Sequence, residues 1–300
     1  MKSKRKKWNR LVNNMSEKPM TIHEALRWAS LFLEEHNREG KIAEILLQHH
    51  LGISRVQLLS NFRELVPVEK QTVFMENIKR HVETGIPVQH LTGKEAFYGR
   101  EFTVNKHVLI PRQETEELIV NVLDEIKTLG PANTLVDLGT GSGIIATTLK
   151  LEKPELEVFA VDISEQALSV AKQNACTLGA SIQFCKGSFL EPLIDRGQNV
   201  DIIVSNPPYI PFVDKPTLSD TVRNFDPELA LFAEKNGLAA YYEIVEQSTQ
   251  VLTTGGLIAF EIGYQQGEQV KTILTNTYPK STVDIRKDIN GKDRMVFARI

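Results

Sequence analysis

The sequence predicts an α/β fold: a mostly parallel, doubly wound sheet preceded by a small helical domain. Three observations support this prediction. From about residue 113 onward, short apolar runs typical of strands alternate with amphipathic runs typical of helices, which is the βαβ series of a parallel sheet. A glycine-rich loop, 139–143, directly follows the first of these strands, and a polar loop with two prolines, 206–209, directly follows the fourth. Ligands bind outside the carboxyl ends of the strands in such sheets, so both loops mark a candidate site.

The first part of the chain is predicted to be helical. A further helix is predicted over 68–84, ending at Gly85. We therefore assign a basic disordered tail to residues 1–20 and a helical domain to 21–87. The apolar residues that recur at the spacing of a helix face are Leu26, Ala29, Leu33, Ile42, Ile45 and Leu46.

Residues 88–112 are predicted to be a linker that contains a short hairpin. Gly99 suits a turn, and Phe102 and Val104 alternate as in a strand. The α/β domain is then assigned to 113–300. Its predicted strands are 134–138, 157–162, 181–185, 200–204, 256–262, 281–286 and 294–299. Its predicted helices are 113–127, 143–151, 164–179, 237–252 and 265–276.

Two features of the α/β domain depend on spacing. The last two strands are close enough in sequence to pair as an antiparallel hairpin. The stretch 206–236 shows no clear element of its own, and loops of that length are usually functional.

Composition excludes several classes of protein. The 300 residues are 41% hydrophobic and 24% charged, as in ordinary globular proteins, and no apolar run approaches the length of a membrane span. Cys176 and Cys185 form neither a metal-binding spacing nor a disulfide framework, which predicts a reducing, cytoplasmic location. His49-His50 has no carboxylate or cysteine at ligand spacing, so we expect no metal.

Charge is unevenly distributed along the chain. Six of the first ten residues are Lys or Arg and none is acidic, whereas the rest carries 29 basic against 38 acidic residues, a net charge of −9. An acidic body argues against extensive contact with phosphates, so no stable nucleic-acid binding is expected. The basic segment is either a solvated tail or an arm that touches nucleic acid or the ribosome.

The glycine-rich loop indicates the kind of cofactor. Its spacing is G-x-G-x-G, and Ile144 stands where a dinucleotide fingerprint requires glycine. Asp137 just before the loop suits a cationic ligand, and Asp162, 21 residues after Gly141, ends a strand where a carboxylate can accept both hydroxyls of a ribose. These features predict a site for S-adenosylmethionine. Alternatively, Asp162 is a turn or helix-cap residue and Asp137 an acceptor for loop amides.

The loop after the fourth strand suits a planar NH2 group. In Asn206-Pro207-Pro208-Tyr209, the Asn206 side-chain oxygen can accept one N–H of such a group and the Pro207 carbonyl the other. Two prolines stiffen the loop and add no donors. Acceptor dipoles then face a nitrogen that becomes positive as it attacks an electrophile. The alternative is an ordinary turn, since Asn-Pro is a common breaker.

Four segments in this order resemble the HemK/PrmC family of peptide chain release factor N5-glutamine methyltransferases: 110–116, 137–143, 162–164 and 206–210. The resemblance covers about residues 21–300. It implies a Rossmann-like S-adenosylmethionine-dependent methyltransferase sheet of seven strands with the last one antiparallel, preceded by the helical domain. A single glutamine in a small slot supplies little affinity for a folded protein, so we expect the helical domain to dock the substrate. The implied reaction is methylation of the glutamine amide in the Gly-Gly-Gln motif of release factors.

The resemblance also implies roles for individual residues. Asn206 and Pro207 would hold the substrate amide, Pro208 and Tyr209 would line the slot beside it, and Arg112 would contact the substrate. Asn206, Pro207 and Tyr209 are the implied catalytic residues, with Asn206 also beside the cofactor. The implied cofactor contacts are Gly139, Thr140, Gly141, Ser142 and Gly143 at the methionine end, Asp162 at the ribose and Phe189 at the adenine.

The sequence departs from the family pattern at three places. Gln113 stands where the family usually has proline. Ser188-Phe189 stands where an acidic residue and often a larger aromatic residue are common. The segments 225–227 and 233–237 are diverged from the family pattern. None of these departures touches the expected reacting centre.

Two other functions are compatible with the same motifs. An adenine-N6 nucleic-acid methyltransferase shares the Asn-Pro-Pro-Tyr loop but should carry a basic groove, and a base-flipping partner domain should be basic and aromatic. A protein that binds the cofactor without catalysis would not need an amide clamp. Incubation with a labelled methyl donor and either a release factor or DNA would separate the three hypotheses.

Overall fold

The structure, a computed structural model, describes residues 18–129 and 134–300. It divides into two compact units, with the boundary between Gly93 and Lys94. Most of the predicted basic tail, 1–20, lies outside the described residues. Met20, at its end, is buried in the core of the first unit.

The first unit is helical. A capping box at Thr21 begins α1, and left-handed glycines after α2, α4 and α5 end those helices. The predicted helix 68–84 is confirmed. Ile45 was predicted on the apolar face but is exposed. Leu46 and Leu47 form the buried face of α2, and Ile45 lies beside that face. The helices are α1 (Ile22–Glu35), α2 (Lys41–Leu51), α3 (Arg55–Ser60), α4 (Val68–Thr84) and α5 (Val88–Thr92).

The predicted linker 88–112 is not a single connecting segment. Its first part is α5, whose Val88 belongs to the helical core. The hairpin of β1 (Lys94–Phe97) and β2 (Arg100–Thr103) follows in the second unit. Phe97 and Phe102 of the hairpin are buried in the core of that unit. Apolar side chains on both strands therefore make the hairpin part of the α/β unit, which begins at Lys94.

The α/β unit contains a seven-stranded sheet in the order β10-β11-β9-β6-β3-β4-β5. The five strands from β9 to β5 are parallel, and β11 is antiparallel to both of its neighbours. The predicted fold class and the antiparallel last strand are confirmed. The strands are β3 (Thr134–Leu138), β4 (Glu157–Asp162), β5 (Gln183–Lys186), β6 (Val200–Ser205), β9 (Leu252–Glu261), β10 (Thr282–Lys287) and β11 (Asp293–Arg299).

Helices cover both faces of this sheet because successive strand residues point to opposite sides. Val136 and Leu138 pack in one core with α13 and α14, whereas Leu135 packs in the other with α6 and α7. The helices are α6 (Gln113–Ile126), α7 (Ile144–Glu152), α8 (Glu165–Leu178), α9 (Glu191–Ile194), α13 (Ala239–Ser248) and α14 (Gly267–Thr277). Within the described ranges, no helix is long and apolar enough to span a bilayer.

The stretch 206–236 has short elements that the sequence did not predict, because each is too brief to show a period. The pair β7–β8 is parallel and closes the stretch on itself. Lys235 and Asn236 both have positive φ, 53° and 58°, at its end. The elements are β7 (Ile210–Pro211), a 3₁₀ helix (Phe212–Thr217), α10 (Asp220–Phe225), α11 (Glu228–Leu231), β8 (Phe232–Ala233) and α12 (Glu234–Gly237).

Candidate active site

Strand register brings the predicted site loops to one edge of the sheet. Leu138, Val161 and Ser205 are register partners in the parallel strands β3, β4 and β6. The residues that follow them are Gly139, Asp162 and Asn206, which therefore leave the sheet side by side. Ser205 pairs in turn with Phe260 of β9, so the edge continues to Glu261.

The glycine-rich loop leaves open space where side chains would otherwise stand. Gly139, Gly141 and Gly143 all have positive φ, between 55° and 78°. A Cβ on Gly139 would meet no atom within 4 Å, whereas one on Gly143 would meet Ala171 Cβ at 2.9 Å. The first two glycines thus leave room for a ligand, and the third lets α8 approach.

Thr140 and Ser142 face into the protein. The Thr140 hydroxyl donates to Asp137 Oδ2 at 2.6 Å, and the Ser142 carbonyl accepts from Asn174 Nδ2 at 2.8 Å. Asn174 also exchanges hydrogen bonds with the backbone of Thr103 at 2.7 and 2.9 Å. Any contact of Thr140 or Ser142 with a cofactor would therefore come mainly from the backbone.

Asp137 is fully buried beneath the loop. Its Oδ2 accepts from Thr140 Oγ1 and from the amide of Ala146 at 3.1 Å, whereas its Oδ1 has no partner among the described residues. Burial, reinforced by the nearby charge of Asp162, raises the pKa of Asp137 to about 7. Asp137 therefore acts as a structural acceptor for Thr140 and Ala146, and its negative charge lies beneath the glycine-rich loop.

Asp162 holds the loop from the next strand. Its Oδ2 accepts from the amide of Gly141 at 2.9 Å, and its Oδ1 from the amide of Ser164 at 2.8 Å. Burial raises the pKa of this carboxyl above its ordinary value. Ser164, not Asp162, caps α8. Each carboxylate oxygen can accept more than one hydrogen bond, so acceptor capacity for a ribose is left.

Phe189 lies near Asp162 in a strained backbone conformation. The amide of Gly187 donates to the carbonyl of Asp162 at 3.2 Å, which brings the segment after β5 to the same edge. Phe189 has φ of 44°, an uncommon value for an aromatic residue, and its ring packs partly buried against the core. Strain of this kind often accompanies function, and the role of Phe189 beside an adenine stays a prediction.

Asn206 is anchored by its nitrogen. Its Nδ2 donates to Thr115 Oγ1 at 3.3 Å, and the Thr115 hydroxyl donates to Glu261 Oε2 at 2.7 Å. The Asn206 side chain is also close enough to Glu261 to lower the pKa of that carboxyl. Thr115 and Glu261 are 1% and 2% exposed, whereas Asn206 is partly exposed.

The rest of the Asn206 loop is held through its backbone. Tyr209 is partly buried against the core, and burial, with the charge of Glu261, raises its pKa to about 12, so the phenol is neutral. Gln266 Nε2 donates to the Tyr209 carbonyl at 2.9 Å. Pro207 is buried and Pro208 partly exposed.

Arg112 reaches the stretch 206–236 rather than open solvent. Its Nη2 lies 2.8 Å from Asp226 Oδ2, and the Asp226 side chain is 2% exposed. Burial raises the pKa of Asp226, while Arg112 and the amide of Ile110 lower it. Arg112 is placed to tie the stretch to the segment before α6, and its remaining exposed surface can still meet a substrate.

Four residues that hold the site together are not predicted from the sequence: Thr115, Glu261, Gln266 and Asn174. Glu261 had a detectable signal, because it ends an apolar strand as Asp162 does. The partners of the other three lie far away in sequence, so no local pattern reveals them. No group of three His, Cys, Asp or Glu residues that could hold a metal occurs in ranges 18–129 and 134–300.

Two family models match the chain. Residues 24–93 match the PrmC N-terminal domain, and residues 114–222 match the methyltransferase small domain. The first corresponds to the helical unit, and the second begins in α6 and extends beyond the Asn206 loop.

Curated proteins named release factor glutamine methyltransferase are similar over nearly their whole length. The one from Bacillus anthracis is 49% identical over 283 residues, covering 94% of this chain and 100% of the relative. The Bacillus subtilis protein is 44% identical, covering 93% and 98%. The Enterococcus faecalis protein is 42% identical, covering 92% and 98%.

A solved structure shares the fold at low identity. The hMettl16 catalytic domain in complex with MAT2A 3'UTR hairpin 6 has a TM-score of 0.52 and 17% identity, covering 77% of this chain and 81% of that chain. At this identity the likeness concerns the fold alone. Together with the strand order, it confirms the predicted Rossmann-like methyltransferase sheet.

Proposed function

This chain belongs to the family of release factor glutamine methyltransferases, and from that premise we propose that it methylates the side-chain amide nitrogen (N5) of a glutamine in a peptide chain release factor. The relatives confirm the predicted enzyme class and S-adenosylmethionine as its cofactor. We further propose that the glutamine is that of the Gly-Gly-Gln motif, and that the reaction takes place in the cytoplasm.

The residues at the sheet edge fit the cofactor. The open space at Gly139 and Gly141 would take the methionine end, and the carboxylate of Asp137, buried beneath the loop, would place negative charge near a cationic group. Asp162 would accept the ribose hydroxyls and Phe189 would flank the adenine. When bound, S-adenosylmethionine supplies an electrophilic methyl group on a sulfonium, because the sulfur leaves readily as a neutral thioether.

One observation supports a planar NH2 group as the methyl acceptor: Asn206, with its own NH2 already bound to Thr115, stands at the strand end next to Gly139. The relatives make that group the amide of a glutamine. The Asn206 oxygen accepts no hydrogen bond from the described residues. It would accept one N–H of the substrate amide and the Pro207 carbonyl the other, leaving the nitrogen aimed at the cofactor loop. Pro208 and Tyr209 would line the slot.

The acceptors also explain how this chain could dispense with a strong base. Partial negative charge on Asn206 Oδ1 and the Pro207 carbonyl stabilises the nitrogen as it becomes positive. Glu261 already accepts a hydrogen bond from Thr115, which in turn accepts one from Asn206, so it serves to hold side chains. The proton can leave to solvent after methyl transfer.

The adenine-N6 alternative is not favoured. The relatives that match over almost their full length are named release factor glutamine methyltransferases. The nucleic acid in the hMettl16 structure belongs to a protein of 17% identity and carries no weight for the substrate of this chain.

Mass spectrometry tests the proposal directly. The enzyme is incubated with S-adenosylmethionine and an intact release factor, and the tryptic peptide that contains Gly-Gly-Gln is sequenced. We expect a gain of one CH2 unit on the glutamine side chain and none in a factor with that glutamine changed to alanine. Methylation of a DNA or RNA oligonucleotide instead of the factor would overturn the proposal.

A further inference from the structure

We propose that Thr115 and Glu261 are positioning residues that turn the NH2 group of Asn206 into the protein, so that its oxygen is the atom presented to the substrate amide. The inference rests on the proposed function, because the clamp role of Asn206 is part of it. It adds two residues from other elements, α6 and the end of β9, to the machinery of the reaction.

The three side chains meet because of the fold. Ser205 and Phe260 are register partners, so Asn206 and Glu261 leave neighbouring parallel strands together. Thr115, in the first turns of α6, lies between them: its hydroxyl is 2.7 Å from Glu261 Oε2 and 3.3 Å from Asn206 Nδ2. Thr115 and Glu261 are almost fully buried, so water does not compete for these bonds.

Hydrogen-bond direction decides which end of the Asn206 amide faces inward. An ionised Glu261 only accepts, so the single hydroxyl hydrogen of Thr115 is committed to it. The Thr115 oxygen is then left as an acceptor, and only the NH2 end of Asn206 can satisfy it. A reversed Asn206 would set its oxygen against two acceptors in a buried site.

The orientation matters because the two ends of an amide have nearly the same shape but opposite roles. The substrate NH2 group has two donors, so both of its partners must be acceptors. A reversed Asn206 would present donors to donors and would not hold the nitrogen. Any population of the reversed form therefore reduces the rate of methyl transfer more than the affinity for cofactor.

The charge on Glu261 is sensitive to its surroundings. Burial raises its pKa to about 7, and the charge of Glu114 raises it, whereas Thr115, Asn206 and the charge of Arg294 lower it. Tyr209 and Tyr241 also face this carboxyl, and the Tyr241 hydroxyl donates to the backbone carbonyl of Glu261 at 2.9 Å.

Protonation of Glu261 removes the reason for this orientation. A protonated carboxyl can donate as well as accept, so the Thr115 hydroxyl no longer has to donate its hydrogen to Glu261. The orienting effect is present above the pKa and is lost as pH falls through it.

Kinetics on the full chain with release factor test the proposal. Thr115→Val should lower kcat by about 10- to 100-fold, the loss seen when a residue that orients a metal ligand is removed. Thr115→Ser, which keeps the hydroxyl, should recover to within about threefold of wild type. Thr272→Val, at an exposed helical position of α14, is the matched control and should not change kcat.

The pH profile separates positioning from a merely structural role. At saturating S-adenosylmethionine, wild-type kcat should fall as pH drops below about 7. Glu261→Gln should lower kcat and remove this acidic limb, whereas Glu268→Gln on the surface should keep it. If Glu261→Gln does not fold, the Thr115→Val and Thr115→Ser pair still decides the matter.

A measurement independent of activity tests the orientation itself. In ¹⁵N-labelled protein, the Asn206 side-chain NH2, assigned from its loss in Asn206→Ala, should exchange slowly with water. Thr115→Val should make it exchange faster by at least about tenfold.

Failure of the two proposals can be told apart. A wild type that exchanges slowly but does not methylate release factor would overturn the proposed function and leave the orientation standing. Equally fast exchange in wild type and Thr115→Val, or equal kcat for both at every pH, would overturn the positioning role.

Discussion

Gln266 donates its side-chain NH2 to the backbone carbonyl of Tyr209 at 2.9 Å, which ties the loop carrying Asn206 to the turn after β9. The same NH2 group approaches the Asn236 carbonyl at 3.4 Å, and Gln266 Oε1 accepts from the amide of Gly263 at 3.0 Å. Gln266 thus joins both ends of the stretch 206–236 to the sheet. Disturbing this junction should move the substrate clamp without touching the cofactor loop.

Gly237→Ala should disturb this junction. A Cβ at this residue would lie 2.1 Å from the Tyr209 carbonyl oxygen and 2.7 Å from Gln266 Nε2, and φ is 83°. We expect a loss of at least about tenfold in kcat for release factor, with S-adenosylmethionine affinity within about threefold of wild type by calorimetry. Gly255→Ala is the matched control, because φ is 82° and no atom lies within 4 Å of its Cβ. It should cost only the left-handed strain, about 1–2 kcal/mol of unfolding free energy. Equal kcat for the two variants would contradict the role of the junction.

Asn206→Ala should slow methyl transfer with little effect on cofactor binding. Removing one prearranged polar group from a reacting centre costs on the order of 10²–10³ in kcat. Single-turnover kinetics with release factor measure this loss, and calorimetry measures the affinity for S-adenosylmethionine. Asn199→Ala, on the exposed side just before β6, should behave as wild type. Turnover of Asn206→Ala near the wild-type rate would show that the clamp assignment is wrong.

Asp162→Ala should weaken cofactor binding. Charged hydrogen bonds of the kind expected with a ribose contribute about 1.5–3 kcal/mol, so affinity for S-adenosylmethionine should fall by about 10- to 100-fold. Loss of the acceptor for the Gly141 amide adds to the effect. Calorimetry measures it, with Glu165→Ala as the control, since that exposed carboxylate pairs with Lys186 and not with the amides of the loop. NAD should not bind to the wild type. Unchanged affinity of Asp162→Ala would remove Asp162 from the site.

Asp137 should make cofactor affinity depend on pH. Its pKa is raised to about 7 by burial, so the unpartnered Oδ1 bears a full share of negative charge only above that pH. A cationic ligand should therefore bind more weakly as pH falls from 8 to 6. Calorimetry across this range should show the decline in wild type and a nearly flat profile in Asp137→Asn. An equal decline in both would assign the dependence to another group.

The same raised pKa has an opposite effect on folding. A carboxyl whose folded pKa lies above its unfolded value contributes stability that is present at low pH and is lost as pH rises through about 7. Without cofactor, Asp137→Asn should therefore lose less unfolding free energy than wild type between pH 5 and 8. Denaturation by urea at several pH values measures it.

The helical unit should be needed for the protein substrate but not for the cofactor. One glutamine side chain in a slot supplies little of the affinity for a folded partner, and the sheet is complete without residues before Lys94. A chain that begins at Lys94 should bind S-adenosylmethionine within about threefold of wild type and lose most activity on intact release factor. A chain that begins at Lys18 is the control, expected to stay within about twofold at moderate salt, where exposed charges are screened. Full activity of the shorter chain would exclude substrate docking by the helical unit, and a large loss in the control would assign docking to the basic segment.

Several features could be predicted from sequence because their causes are local. The glycine spacing of 139–143, the acidic residue that ends β4 and the prolines after β6 restrict backbone conformation and chemistry within a few residues. The bounds of strands and helices could be predicted for the same reason. Burial of one or two faces makes apolar residues recur at a regular spacing along the chain. The hairpin was detected, but its membership in the α/β unit was not, because only the tertiary core shows where Phe97 and Phe102 are buried.

Local patterns in the chain are sufficient for the fold class, the glycine-rich loop and the residue types that can hold an amide. Which atom of Asn206 is free cannot be read from such patterns. That depends on Thr115, 91 residues away, and on the register that sets Glu261 beside it. Similarly, the hold on Tyr209 comes from Gln266, 57 residues away. Hydrogen-bond direction in a buried site is a property of the partners that packing brings together, and a linear pattern does not contain it.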